Sequence, residues 1–200
     1  MAIRYATPPG DTELLATTGL NEVTRTARLK TAGAAALTTS APEQVTLRAP
    51  HEVHHVGLDA LAAHRPLAES PTVGWRYLVE TQAGTVASSE VSADASGQPT
   101  TFAQVNEGPF VQSTARALRE LAGMPVVESG NYEVHMLKIP ALYVVALWLK
   151  HLDGNDDLFV PLEPAPDFLE AGRLYREDEF LDTLESPARQ RLEFDDSPQG

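Results

Sequence analysis

The stretch QVTLRAPHEVHHVGLDALAAHR, residues 44–65, holds the choice on which the fold turns. Val45, Leu47 and Ala49 alternate with polar residues, the pattern of a strand with one buried face. If that strand runs on through Val53, Gly57 turns the chain and a short helix starts at Leu58, to be closed by Pro66. If residues 50–56 are helical instead, Ala49 is a poor N-cap and Gly57 costs roughly 1 kcal/mol inside the helix relative to alanine. The strand is the better reading. On it, Val53 and His55 continue the face begun by Val45 and Leu47.

The rest of the chain fits that choice. VGWRYLVE and TVASSEV are two strands joined at Thr81–Gly84, and TFAQV follows as a third. GPFVQSTARALRELAG is the clearest helix, with Phe110, Thr114, Ala117, Leu118 and Leu121 on one side. NYEVHMLKIP alternates again and places Glu133 and His135 on one face. ALYVVALWLKHL is apolar on both faces, as expected of a strand in the middle of a sheet, and DLFVPLEP returns beside it. DFLEAGRLY and DEFLDTLESPARQRL read as acidic helical segments. The expected fold is α+β: one domain over 44–190, with a five- to six-stranded, mainly antiparallel sheet and helices packed on one side. Residues 1–43, rich in threonine and alanine, read as a flexible arm, partly helical or extended, and 191–200 as a disordered acidic tail.

Composition narrows the chemistry. The 200 residues include no cysteine, which removes disulfides, thiolate zinc sites, iron–sulfur clusters and thiol catalysis together. The net charge of −13 is concentrated after residue 150, where 14 acids face 4 arginines. Such a balance repels phosphate backbones and anionic membranes, so neither nucleic acid nor membrane is an expected partner. The longest apolar run, Ala141 to Leu149, is far short of the roughly 20 residues that cross a bilayer. The amino-terminal stretch lacks an apolar signal region, and a cytoplasmic location is expected. Twelve arginines against three lysines suggest a bacterial source with a GC-rich genome.

One motif points to chemistry. His51-Glu52-x-x-His55 spells the H-E-x-x-H pattern, which on a helix sets two imidazoles one turn apart to hold zinc, with the glutamate as base. In this alternative reading His51, His55 and His64 are the metal ligands and Glu52 the catalytic base of a zinc-dependent hydrolase. On a strand the two histidines stand about 13 Å apart along the chain and cannot share an ion. His64 also falls outside the spacing of the known third ligands, and Glu90-x-x-x-Asp94 matches one of them only in letters.

A Glu133–His135 pair facing a pocket is a further candidate, as is a sheet pocket lined by Trp75, Tyr77, Tyr143 or Trp148. The expected function is therefore non-enzymatic: a protein-interaction, structural or adaptor protein of a bacterial assembly, without a cofactor. It would contact other chains through its amino-terminal arm or acidic carboxy-terminal helices, or associate with copies of itself. A zinc hydrolase and a small-molecule-binding domain are the alternatives.

Overall fold

The computed structural model describes residues 3–26, 32–154 and 156–195. The chain forms β1 (Ile3–Tyr5), α1 (Thr12–Arg25), α2 (Ala32–Thr39), β2 (Thr46–His55), α3 (Leu58–Ala62), β3 (Thr72–Thr81), β4 (Gly84–Ala93), β5 (Pro99–Asn106), α4 (Pro109–Leu121), α5 (Pro125–Glu128), β6 (Tyr132–Ile139), β7 (Val144–His151), β8 (Leu158–Pro161), β9 (Tyr175–Arg176) and α6 (Glu177–Asp195). The α+β class is as expected, but the described residues form nine strands in one sheet, where five or six were expected. Their order is β5-β4-β3-β2-β6-β7-β8-β9, with β1 beside the first half of β6.

Most neighbours are antiparallel. The exceptions lie at the centre, where β6 pairs in parallel with β1 over its first residues and with β2 over its last. Glu52, Val53, His54 and His55 stand opposite His135, Met136, Leu137 and Lys138. Parallel pairing needs a long crossover. Here the chain between β2 and β6 spans three strands and α4, which is why the pairing leaves no local trace in the sequence.

Helices cover both faces, which corrects the one-sided packing expected. On the front face, Ala16 and Leu20 of α1 pack against Tyr77, Val79, Ala87 and Val91 of β3 and β4. Farther along that face, α3 and α6 cover Leu137, Trp148 and Phe159 with Leu61, Phe180, Leu181 and Leu184. On the back face, Ala117, Leu118 and Leu121 of α4 pack against Val53, Leu78, Val134, Met136 and Leu147. Between the two front-face covers lie the central strands β2 and β6.

The amino-terminal segment is not a free arm in its described part. β1 is a strand of the sheet, and α1 is seated so closely that Gly19 lies against the ring of Phe102, where an alanine Cβ would collide. Residues 27–31 of that segment lie outside the described residues. At the other end α6 continues to Asp195, past the expected start of a disordered tail at 191, while 196–200 lie outside the description. DFLEAGRLY is not helical: it is a run of turns ending in β9. Of the four aromatic residues named for a sheet pocket, Tyr143 is 83% exposed, whereas Trp75, Tyr77 and Trp148 are buried.

Gly19→Ala tests the docking of α1. Overpacking of this kind costs about 1–3 kcal/mol, so the urea midpoint should fall, with no change in the far-ultraviolet spectrum of the folded state. An unchanged midpoint would mean that α1 is not held against Phe102.

Candidate functional site

Residues 51–55 are a strand, as the turn and helix signals at Gly57 and Leu58 require. Gly57 is extended (φ −84°, ψ 157°) and α3 begins at Leu58. The face of each side chain differs from the simple alternation. Before residue 49, Leu47 pairs with Val79 and Arg48 with Leu78; after residue 50, His51 pairs with Arg76 and Glu52 with Trp75. Ala49 and Pro50 together stand opposite Tyr77 alone, a β-bulge. Ala49 has φ +49°, and its carbonyl lies 2.7 Å from Nδ1 of His51, which donates to it. The extra residue inverts the phase of the strand. Val53 therefore points to the back face, opposite to Leu47, which corrects the expected continuity. Glu52 and His54 point to the front.

The H-E-x-x-H reading does not survive this geometry. His51 is fully buried on the back face, and its Nε2 has no hydrogen-bond partner. Burial and the nearby Arg76 guanidinium push its pKa down to about 3, so it is a neutral packing residue. His55 is exposed beside Lys138. Its pKa is lowered by partial burial and then by that lysine. His64 lies on the surface of α3 and α6, with Nε2 3.1 Å from Glu185 and 3.7 Å from Asp182. These three imidazoles do not converge, and Glu52 has no metal-bound water to activate between them.

A different set does converge. Glu52 Oε2, His54 Nε2 and His135 Nδ1 form the one group of three metal-type donors among the described residues. The separations are 3.0 Å between the two nitrogens, 3.4 Å from Glu52 to His54 and 3.8 Å from Glu52 to His135. A point about 2.0 Å from all three atoms lies within that triangle. Zinc bonds to imidazole nitrogen and carboxylate oxygen are roughly 2.0–2.2 Å long.

Each ligand is oriented from behind. His54 Nδ1 lies 3.1 Å from the Ser70 carbonyl, which can only accept, so Nδ1 carries the proton. His135 Nε2 donates to Glu133 Oε1 at 3.0 Å. The remaining nitrogens, His54 Nε2 and His135 Nδ1, therefore face one another as lone pairs, with a carboxylate oxygen beside them. A metal ion at that point would meet all three, whereas a proton held by one nitrogen leaves the triangle only partly satisfied. Thr72 Oγ1 donates to Glu52 Oε2 at 2.8 Å and fixes the carboxylate.

Comparison with known proteins gives no family: no family model, curated protein or solved structure matches the chain. The site has to be judged on its chemistry.

Trp148 forms its floor, with ring centroids 4.9 Å from His54 and 5.3 Å from His135. The indole is itself anchored by a 2.7 Å hydrogen bond to Asp157 and by stacking on Phe159. His54 and His135 are buried, whereas Glu52 keeps a quarter of its side chain exposed, so the site opens on the carboxylate side. Burial, then the charge of His54, lowers the pKa of His135. The contact with His54 lowers that of Glu52, while burial and then Glu52 raise that of Glu133. The cavities of about 670 and 400 Å³ lie elsewhere, on the α4 side of the sheet.

Of the four residues of the H-E-x-x-H reading, His51, Glu52, His55 and His64, Glu52 alone belongs to this group. The Glu133–His135 pair singled out from the sequence is present, and His54 was missed. The available signal was Glu52-x-His54, since residues i and i+2 of a strand share a face.

The buried histidines set the acid response of the metal-free protein. His51 and His135 have folded pKa values below the unfolded 6.5, so the unfolded chain binds more protons and stability falls as pH drops below 6.5. Each contributes about 1.4 kcal/mol per pH unit within its window. Glu133, with its raised pKa, offsets part of this, and Glu52 adds to the loss below its ordinary value near 4.5. Urea titrations in chelator at pH 6.5 and 5.0 should show this decline, with a shallower slope for His51→Asn. Equal slopes in the two proteins would contradict a buried neutral His51.

Proposed function

We propose that this protein binds a divalent transition metal of the zinc type at Glu52, His54 and His135. The observation that carries the reading is that two imidazole lone pairs and a carboxylate oxygen meet at one point, each ligand held by a partner behind it. Two histidines and one carboxylate with an open fourth position suit zinc. The Glu133–His135 hydrogen bond is the carboxylate–histidine arrangement that fixes ligand tautomers in such sites. The ion ties β2 to β6 where no antiparallel hairpin joins them.

In this reading the metal serves binding and structure, and a non-enzymatic role is favoured because the ligands line neither of the two larger cavities. The wider role is the interaction or adaptor function expected from the sequence, in the cytoplasm. No described helix is long and apolar enough to cross a membrane. The acidic α6, with Phe194 71% exposed near its end, is the surface proposed for contact with another chain.

Titration with zinc against a competing chelator should give one tight site per chain. His135→Ala or His54→Ala should abolish it, and Glu133→Gln should weaken it by about 10–100-fold. His55→Ala and His64→Ala should bind as the parent does. Loss of binding in those two variants, or no tight site in the parent, would sink the proposal.

A further inference from the structure

On the back face, independent of the metal reading, a cavity of about 400 Å³ opens between the sheet, α4 and the turn after β6. Its walls are mainly apolar, with contributions from Phe110, Tyr143 and Val145, and its floor carries Arg76, Lys138 and Glu90. Cavities of this size and make-up hold small organic ligands.

The floor is short of acceptors. Lys138 Nζ contacts both oxygens of Glu90, at 2.8 and 2.9 Å, and Gln104 donates to the same carboxylate at 3.1 Å. Arg76 is 2% exposed, yet its nearest Glu90 oxygen is 3.6 Å from Nε, and that nitrogen has no hydrogen-bond partner. Its Nη1 has a long contact of 3.5 Å to Thr114 Oγ1 and one of 2.8 Å to the thioether of Met136, a weak acceptor. A buried and a half-buried cation thus share one carboxylate, and a guanidinium N–H goes unpaired at a cost that a ligand acceptor would remove. Glu107 also lines the cavity, from the loop before α4, and is partly exposed.

At the rim, Tyr143 is held outward by a backbone of φ +55° after the Pro140–Leu142 turn. A large aromatic side chain is rarely kept in that conformation. Here it extends the apolar wall beyond the fold's own surface.

We propose that this cavity binds a small amphipathic carboxylate, its head group on Arg76 and Lys138 and its hydrocarbon body against Phe110, Val145 and Tyr143. The carboxylate matches the excess positive charge of the floor and the bidentate geometry of a guanidinium. The apolar body matches the walls.

Calorimetry with octanoate and octanol on the full chain tests this. Octanoate should bind once per chain, at least tenfold more tightly than octanol. Tyr143→Asn should weaken octanoate at least fivefold while leaving the fold intact, since the residue is exposed and asparagine tolerates its backbone. His135→Ala should leave octanoate binding unchanged, which separates this cavity from the metal site. No octanoate binding, equal affinity for the alcohol, several sites per chain, indifference to Tyr143→Asn or loss in His135→Ala would each overturn the proposal.

Discussion

The bulge at Ala49–Pro50 decides what the centre of this sheet contains. One extra residue in β2 sends His51, Val53 and His55 to the back and Glu52 and His54 to the front. Proline suits the position because a bulge residue has no ladder bond to lose. The positive φ of Ala49 is backed by the imidazole of His51, whose Nδ1 donates to the Ala49 carbonyl. His51 thus acts on the proposed metal site indirectly, by fixing the strand phase that lets Glu52 and His54 meet His135. Without the bulge, Glu52 and His54 would turn to the back and the triangle of donors could not form.

A second constraint follows from burial. The central strands are covered on both faces, so each polar side chain there needs a partner. The front-face imidazoles meet that need in series: Ser70 and Glu133 take the outer protons, and the inner nitrogens are left pointing at one position. Trp148 closes the site from below and links it to the aromatic stack of Phe159 and Phe180. The site is therefore part of the core of the α6 side, and the proposed cation would bind together strands whose connection in sequence is long.

The sequence made part of this legible. The strand over 51–55, the turn at Gly57, the hairpin at Thr81–Gly84, the α4 stripe and the doubly buried β7 all follow from local periodicity and turn chemistry, and all are present. Glu133 and His135 could be paired because alternation puts them on one face. The bulge could not be read, since Ala49 is an ordinary strand residue whose φ is set by tertiary contacts. The parallel pairing of β2 with β6 depends on strand order, which local patterns do not encode. Those two features select His54 over His51 and His55, so the H-E-x-x-H letters drew attention to the right segment for the wrong reason. The docking of α1 was hidden for a similar reason: its interface uses Ala16 and Gly19, small residues that look weak in a hydropathy pattern yet allow close packing against the sheet.

The central claim concerns two protons, and long-range nitrogen–proton correlation of the imidazoles in the metal-free protein tests it most directly. Protonated Nδ1 at His54 and protonated Nε2 at His135, with Nδ1 of His135 bare and shifting on zinc addition, is the pattern this account predicts. A proton on Nδ1 of His135 with a bare Nε2, unchanged by zinc, would contradict it.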